Sequence, residues 1–431
     1  MPTAAYHTLG CKVNQYDTQA MEELLSAAGW QTVPFSADAD VYLVNTCTVT
    51  GTGDKKSLQM IRRIRREHPS SKLIVCGCLA QLRGIELLDI GADLIIGTQS
   101  RKRIAQLLSR VIETGVPFCA VSPIDDQTVF ENLSVSRQND HTRAVLKIQE
   151  GCNNRCSYCV IPMVRGPIRS RPVSDIVEES EKLADAGFCE IVLTGIHLSS
   201  YGKDLPSDIS LSDVICRLQQ IDGIFRIRLG SLEPTIITPD FVSSLKRSKK
   251  VCPQFHLALQ SGCDSVLRRM RRRYNTEQYI KAVDNIRDAF PLAALTTDVL
   301  TGFPGETEDE FQQTADFIRH IEFARIHVFP YSPRPNTDAA SMPDQLPDAV
   351  RQERARQLIA IGEETAGRYR RKWLYRETEL LPEELIHDCW EGYTPEYIRV
   401  RLVQGSSCKS GIPVKVRITS VDQPTAVGEI I

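Results

Sequence analysis

Three cysteines within eight residues, Cys152, Cys156 and Cys159, constrain this chain more than any other feature. Their CX3CX2C spacing places three thiolates in one short loop, where they can ligate three irons of a 4Fe-4S cluster and leave the fourth iron open. A structural zinc site needs a fourth protein ligand and usually has paired CXXC steps. The loop has one such step, and His197 and His256 keep zinc open as an alternative. The loop follows a predicted strand, where barrel enzymes carry their chemistry.

Alternating strand and helix patterns predict an α/β fold in two parts, followed by a small all-β module. Residues 1–120 predict a doubly wound parallel sheet, with strands at Ala4–Leu9, Val41–Asn45, Leu73–Cys76 and Leu94–Ile96 and helices at Gln15–Ala28, Ser57–Glu67, Ala80–Asp89 and Arg101–Glu113. Residues 121–142 predict a polar linker.

Residues 143–367 predict a partial (β/α)6 barrel, because six strands are separated by five helices. The strands are Val145–Gln149, Glu190–Leu193, Arg226–Leu229, His256–Leu259, Thr296–Leu300 and Ile326–Phe329. A helix at Asp348–Trp373 follows. Residues 368–431 predict the all-β module, with strands at Tyr397–Val403 and Pro413–Ser420.

Composition places the chain among soluble globular proteins, with 42% hydrophobic and 25% charged residues over 431 positions. No apolar run approaches the roughly 18 residues of a membrane span, and the first residues lack the features of a signal peptide. We therefore expect a cytoplasmic protein without a membrane partner. Fourteen cysteines without an export signal favour metal binding or catalysis over disulfides. The net charge of −2 excludes a protein that is basic overall, but a local basic patch can still bind nucleic acid.

A second group of cysteines follows three predicted strands of the first sheet: Cys11, Cys47 and Cys78. Because the carboxyl ends of parallel strands line one edge, these thiols can converge on one metal centre. Three separately buried cysteines are the alternative. Cys76 is the reserve candidate, since residues two apart on a strand point to the same face.

The CX3CX2C loop resembles the signature of the radical SAM superfamily, in which the open iron binds S-adenosylmethionine. Tyr158 matches the aromatic position that packs near the adenine. The segments LGCKVNQYDTQ, NTCTVT and GCLAQ resemble the N-terminal domain of the methylthiotransferases, a subgroup of that superfamily, and further motifs match along nearly the whole chain. The resemblance implies two 4Fe-4S clusters, one on Cys152, Cys156 and Cys159 and an auxiliary one on Cys11, Cys47 and Cys78.

The same resemblance implies further contacts to S-adenosylmethionine. Ser231 and Glu233, in RLGSLEP, would contact its amino group or ribose, and Gly195 would let the backbone approach a ligand closely. An arginine of LRRMRRRY, for which we take Arg271, would hold its carboxylate. The C-terminal segment GYTPEYIRVRL resembles a TRAM domain, a small RNA-binding β-barrel.

The resemblance implies methylthiolation at C2 of N6-threonylcarbamoyladenosine at position 37 of tRNA. Isopentenyladenosine in tRNA and an aspartate of a ribosomal protein are the substrates of the other branches, and LGCKVNQYDT and SPRPNT resemble the threonylcarbamoyl branch most. The expected partners are the anticodon stem-loop and an electron donor such as flavodoxin or ferredoxin, with no DNA. A non-enzymatic, metal-bound RNA-binding module is the alternative from another class.

Several basic runs are either solvated faces, as most charge runs are, or candidates for RNA contact, since phosphates dominate nucleic-acid affinity. One is the group Arg62, Arg63, Arg65 and Arg66 on a predicted helix, and the densest is the run from Arg268 to Arg273. The C-terminal residues 373–431 are unexpected for an RNA-binding module, because six Lys and Arg stand against nine Asp and Glu, a balance of −3.

Overall fold

The structure is a computed structural model that describes residues 1–125, 129–136, 142–206, 208–403 and 407–431. The helices are α1 (Lys12–Ala27), α2 (Gly51–Glu67), α3 (Cys78–Arg83), α4 (Ile104–Thr114), α5 (Ile161–Arg165), α6 (Val173–Asp185), α7 (Leu211–Leu218), α8 (Pro239–Arg247), α9 (Asp264–Arg269), α10 (Thr276–Ala289), α11 (Glu308–Ile321) and α12 (Asp348–Arg371).

The described residues form 19 strands. They are β1 (Thr3–Thr8), β2 (Gln31–Thr32), β3 (Val41–Thr46), β4 (Lys72–Gly77), β5 (Leu94–Ile96), β6 (Phe118–Cys119), β7 (Ala144–Glu150), β8 (Arg169–Ser170), β9 (Glu190–Gly195), β10 (Arg226–Leu229), β11 (Ser231–Leu232), β12 (Gln254–Leu257), β13 (Ala294–Thr301), β14 (Arg325–Pro330), β15 (Glu377–Ile386), β16 (Cys389–Tyr393), β17 (Arg399–Leu402), β18 (Val414–Ser420) and β19 (Ala426–Ile430).

The N-terminal sheet has six parallel strands in the order β2-β1-β3-β4-β5-β6. Its central strand β3, VYLVNT, is buried along its whole length, as expected of a parallel strand covered on both faces. Met21 of α1 and Leu108 of α4 pack on one face, and Ile61 of α2 packs on the other. The predicted doubly wound sheet is confirmed. The winding direction reverses between β1 and β3, and at such a point ligands bind outside the carboxyl ends of the strands.

The central part is a partial barrel of six parallel strands, β7, β9, β10, β12, β13 and β14, as predicted. Its two four-stranded sheets meet at a parallel bridge between Ile227 and Val251. The short strand β8 pairs antiparallel with β7 and was missed from the sequence because it has only two residues. Within the described residues β14 pairs with neither β7 nor β8, so the barrel is open on that side.

The C-terminal module is a closed barrel of five strands in the order β15-β16-β17-β19-β18. The sequence predicted two of these strands. The longest, β15, was missed because its sequence ETELLPEELI is charged and contains a proline, and the pairing with β16 is irregular between Pro382 and Glu384. Gly392 permits the close approach of the two strands, since a Cβ there would lie 1.8 Å from the Leu381 carbonyl oxygen.

Helix α12 contributes to two cores. Leu358 packs in the core of the partial barrel, whereas Tyr369 packs with Leu380 and Val416 in the core of the C-terminal barrel. No helix among the described residues combines the length and the apolar character needed to span a membrane.

A cluster of buried charges joins the N-terminal sheet to the partial barrel. Asp17 on α1 accepts hydrogen bonds from Lys147 Nζ at 2.6 Å and Arg165 Nη1 at 3.0 Å, and it also pairs with Arg101. Glu150, at the end of β7, accepts from Arg165 at 2.5 Å and from Arg101 at 3.1 Å. All five side chains are at most 2% exposed. Burial alone would raise the pKa of Asp17, but the three cations lower it.

The predicted linker, 121–142, lies partly outside the described residues. Its described part is packed: Leu133 and Val135 are buried against Tyr16 and Val145, and Glu131 accepts from Arg101 Nε at 2.8 Å. This stretch therefore covers the same junction between α1 and β7 that the charge cluster occupies.

Replacing Asp17 with asparagine keeps the shape of the side chain but leaves three buried cations with one carboxylate fewer. We expect a loss of about 3 to 5 kcal/mol, because removal of one partner uncovers buried charge. Thermal unfolding followed by circular dichroism measures the change. The matched control is Asp38→Asn, whose side chain is 98% exposed and should shift the free energy of unfolding by less than about 0.5 kcal/mol. Equal midpoints for the two variants would contradict the role assigned to the cluster.

Candidate functional site

The CX3CX2C loop lies at the carboxyl end of β7, the first strand of the partial barrel. The backbone N–H of Cys152 donates to the Gly166 carbonyl at 2.9 Å, and that of Cys159 donates to the Cys156 carbonyl at 3.1 Å. All three cysteines are partly exposed. Burial raises the pKa of Cys152 to about 11 and that of Cys159 to about 12. Because only thiolates ligate metals, a bound metal is needed to hold these thiols ionised at neutral pH.

A buried polar network surrounds Glu233, which follows β11. Its carboxylate accepts from Asn154 at 3.0 Å and from Arg272 at 2.7 Å, and lies 3.1 Å from His197 Nε2. Burial alone would raise the pKa of Glu233, but the hydrogen bond to His197 and the Arg272 charge lower it to about 2. The carboxylate is therefore ionised and faces the cysteine loop, since Asn154 belongs to that loop.

Arg272, and not Arg271, reaches the cysteine loop. Arg272 Nη1 donates to Cys156 Sγ at 3.1 Å, and its side chain is 8% exposed. The Arg271 side chain is 55% exposed and pairs with Asp338 at the surface. Arg271 has a φ of +57° just after α9, and this left-handed residue turns the chain so that the next side chain points inward. The geometry thus corrects the choice of arginine made from the sequence.

The other three predicted contacts to S-adenosylmethionine lie near this network. The Tyr158 ring packs edge-on against Phe303, with centroids 6.4 Å apart. Ser231 is exposed at the start of β11. A Cβ at Gly195 would lie 2.9 Å from the Gln149 Cβ, so the glycine accommodates a neighbouring strand. Gln149 in turn accepts from the His197 N–H at 2.6 Å.

The second cysteine group lies at the switch point of the N-terminal sheet. Cys11 follows β1, Cys47 follows β3 and Cys78 follows β4, and these three strands are neighbours. Burial, with smaller contributions from the charges of Cys78 and Cys11, raises the pKa of Cys47 to about 11. Burial also raises the pKa of Cys78, with a contribution from Cys11. The structure thus brings these three thiols within electrostatic reach of one another.

Glycine keeps the space around Cys47 open. A Cβ at Gly10, whose φ is +103°, would lie 2.9 Å from Cys47 Cβ and 3.1 Å from its sulfur. A Cβ at Gly53, in the first turn of α2, would lie 3.6 Å from the same sulfur.

Cys76 points away from this edge. Its side chain is fully buried in the core with Ala4 and Met21, and its thiol donates to the Val44 carbonyl at 3.7 Å. Gly77 separates the two candidates with a φ of +92°, so the chain leaves the strand before Cys78. A Cβ at Gly77 would lie 2.2 Å from Asn45 Oδ1. The expectation that Cys76 and Cys78 share a face fails because the strand ends between them.

The helix that follows the CX3CX2C loop contacts the second cysteine group through one guanidinium. Arg165 lies on α5, which begins two residues after Cys159. Its Nε donates to Cys78 Sγ at 3.3 Å, and its Nη2 donates to Asn14 Oδ1 at 2.5 Å. No signal in the sequence pointed to Arg165, because Arg165 and Cys78 are 87 residues apart and no local pattern links them.

The described residues contain no group of three histidine, cysteine, aspartate or glutamate side chains placed to hold a single metal ion. Three thiolates bound to three different irons lie further apart than three ligands of one ion. His197, the nearer candidate for a fourth zinc ligand, is instead engaged with Glu233 and with Ser200 Oγ at 2.5 Å.

Comparison with known proteins identifies the family. Residues 146–318 match the model of the radical SAM superfamily, and residues 3–97 match an uncharacterized protein family, UPF0004. The chain is 42% identical to the threonylcarbamoyladenosine tRNA methylthiotransferase MtaB of Bacillus subtilis, covering 100% of this chain and 97% of the relative. It is 35% identical to the protein of the same name from Thermotoga maritima, covering 94% and 92%.

Another relative and a solved structure are also similar to this chain. A tRNA-2-methylthio-N(6)-dimethylallyladenosine synthase of Pelotomaculum thermopropionicum is 37% identical, over 82% of this chain and 80% of the relative. Among solved structures, the radical S-adenosylmethionine methyltransferase TsrM of Kitasatospora setae shares the fold, with a TM-score of 0.57 at 15% identity over 79% of this chain and 77% of that one. On these full-length similarities, the chain belongs to the radical SAM tRNA methylthiotransferases.

Proposed function

We propose that this protein transfers a methylthio group to C2 of N6-threonylcarbamoyladenosine at position 37 of tRNA. The observation that carries the proposal is that α5, the helix that follows the CX3CX2C loop directly, contacts the second cysteine group through Arg165. Cys78 accepts a hydrogen bond from this side chain, and the CX3CX2C loop leads directly into its helix. Such an arrangement suits a reaction that needs a radical source and a sulfur source close together.

Radical SAM enzymes use S-adenosylmethionine and a 4Fe-4S cluster, which together generate a radical able to take hydrogen from an unactivated C–H bond. In this chain Cys152, Cys156 and Cys159 would hold that cluster. The raised pKa values of Cys152 and Cys159 mean that these two thiols become thiolates at neutral pH only when a metal binds them. Glu233 presents an ionised carboxylate that suits the ammonium of S-adenosylmethionine, and Tyr158 offers an aromatic ring for its adenine.

Arg272 replaces Arg271 in the proposal. Its guanidinium lies between Cys156 and Glu233, where it can meet a carboxylate beside the cluster. Ser231 stays a candidate for the ribose, because its hydroxyl is exposed next to Glu233. Gly195 has a supporting role in the proposal. Because it has no side chain, Gln149 can lie close to it and accept a hydrogen bond from the His197 N–H.

Cys11, Cys47 and Cys78 are proposed to hold a second, auxiliary 4Fe-4S cluster that supplies sulfur. Support comes from the open space that Gly10 and Gly53 leave around Cys47 and from the cation beside Cys78. Cys76 is excluded from the proposed set because its thiol points into the core.

The choice of nucleoside follows the relatives. A threonylcarbamoyladenosine enzyme matches over 100% of this chain, whereas four dimethylallyladenosine enzymes match over 82% to 88% of it. Dimethylallyladenosine is therefore the second candidate substrate. The anticodon stem-loop is the proposed docking partner, and a flavodoxin or ferredoxin is the proposed electron donor.

Nucleoside mass spectrometry tests the reaction. Threonylcarbamoyl-modified tRNA and dimethylallyl-modified tRNA are each incubated anaerobically with reconstituted protein, reductant, sulfide and S-adenosylmethionine. We expect the 2-methylthio derivative of threonylcarbamoyladenosine to appear. Product on dimethylallyladenosine alone would change the substrate, and no tRNA product from protein that cleaves S-adenosylmethionine would refute the proposal.

Iron content tests the ligand assignment. Wild-type protein should hold about eight irons per chain, as two 4Fe-4S clusters require. The triple variant Cys152→Ala, Cys156→Ala, Cys159→Ala should hold about four. The matched control, Cys76→Ala, should keep the full content. Unchanged iron in the triple variant, or a loss of four irons in the control, would overturn the assignment.

Arg165→Gln tests the guanidinium beside Cys78. In the triple-cysteine background we expect a shifted electron paramagnetic resonance spectrum of the reduced auxiliary cluster, because hydrogen bonds and charge near the sulfurs tune such clusters. Arg101→Gln is the control, since Arg101 belongs to the same charge cluster but donates to Asp17 and Glu150. Identical spectra for the two variants would show that Arg165 acts only through the charge cluster.

A further inference from the structure

A tRNA substrate requires cations at the docking surface, and the C-terminal barrel supplies few. Residues 373–431 carry six Lys and Arg against nine Asp and Glu. Three of the six cations are neutralised within the barrel: Arg399 and Arg401 pair with Glu391, and Arg417 pairs with Glu377. Because these arginines are paired, the barrel has little unpaired positive charge with which to bind RNA phosphates.

The densest basic run of the sequence is also largely committed. Arg269 pairs with Glu310, Arg271 pairs with Asp338, and Arg272 turns inward to Glu233. These three arginines therefore serve the fold and the site, which leaves Arg268 and Arg273 as the remaining exposed arginines of the run.

Helix α2 is different. Its 17 residues hold six Lys and Arg against two Asp and Glu. Among the residues that the structure describes, Lys55, Lys56 and Arg62 are exposed and form no ion pair with a carboxylate. Arg65 is withdrawn from the surface by its contact with Asp93, whereas Arg66 is exposed but pairs with Glu67 at 3.2 Å.

The spacing of these residues makes a stripe. Lys55, Gln59, Arg62 and Arg66 follow one another at helical intervals of four, three and four and are all exposed. At 1.5 Å per residue the stripe extends over roughly 16 Å, which is long enough to meet several consecutive phosphates of an RNA strand.

The helix also begins at the site. The N–H of Gly51 donates to Ser332 Oγ at 3.1 Å, and the N-cap Thr50 is three residues after Cys47. Arg334 donates to Asp54 Oδ2 at 2.6 Å, which ties the first turn of α2 to the partial barrel. An RNA that places one base at the two cysteine groups can therefore lay its backbone along α2.

We propose that the exposed basic face of α2, formed by Lys55, Lys56, Gln59, Arg62 and Arg66, is the main phosphate-docking surface for tRNA. This inference rests on the proposed function for the identity of the RNA. It assigns the leading electrostatic contact to the N-terminal sheet domain and a lesser one to the C-terminal barrel.

Salt-dependent binding tests the proposal. Fluorescently labelled, threonylcarbamoyl-modified tRNA is titrated with the full-length holoprotein between about 50 and 200 mM salt, without reductant. The slope of log K against log salt is negative, and each lost phosphate contact reduces its magnitude by about 0.7 to 0.9. The variant Lys55→Gln, Lys56→Gln, Arg62→Gln should therefore reduce the magnitude of the slope by about 2 to 3 and weaken binding at low salt.

The matched control removes the same charge from the C-terminal barrel, by Arg399→Gln, Arg401→Gln and Arg417→Gln. Its slope should stay within about 0.5 of the wild-type value. The charge-preserving variant Lys55→Arg, Lys56→Arg, Arg62→Lys should restore the slope, which separates charge from folding. An unchanged slope in the α2 variant, or a larger loss in the barrel variant, would overturn the proposal. Because binding needs no turnover, failure of the docking surface and failure of the proposed reaction are separate results.

Discussion

The buried charge cluster between α1 and β7 determines how the N-terminal sheet and the partial barrel pack against each other. Five fully buried ionisable side chains would be very costly apart, because each loses its hydration. They are tolerated here because Asp17 from one sheet and Glu150 from the other are shared by Arg101, Lys147 and Arg165. Satisfying all five requires one relative position of the two sheets. We infer that the cluster fixes position more than it adds stability.

Fixing that position also fixes the distance between the two cysteine groups. Each group lies at the carboxyl edge of its own parallel sheet, where loops are free to carry chemistry. Arg165 takes part in the charge cluster and in the contact with Cys78, so alignment and function depend on one side chain. The ionised carboxylate of Glu233 faces the CX3CX2C loop, and Asn154 of that loop donates a hydrogen bond to it.

Local sequence signals were sufficient for much of this architecture. Strand and helix periodicity predicted the sheet and the six barrel strands. The CX3CX2C spacing singled out the first cysteine group, and the resemblance to the methylthiotransferases selected Cys11, Cys47 and Cys78 over three separately buried cysteines. Contacts between distant residues were beyond such signals. Arg165 and Cys78 are 87 residues apart, and the two-residue strands have no periodicity to detect. The choice between Arg271 and Arg272 depended on one left-handed residue, and that between Cys76 and Cys78 on the glycine that ends β4. Strand β15 was hidden by its charges, which its partners neutralise.

Iron anomalous scattering from crystals of the anaerobically reconstituted protein would locate the clusters. We expect two separate groups of iron, one bound by Cys152, Cys156 and Cys159 and one by Cys11, Cys47 and Cys78, with the Arg165 side chain beside the second group. Iron at a single group, or a second group ligated by Cys76, would contradict this expectation.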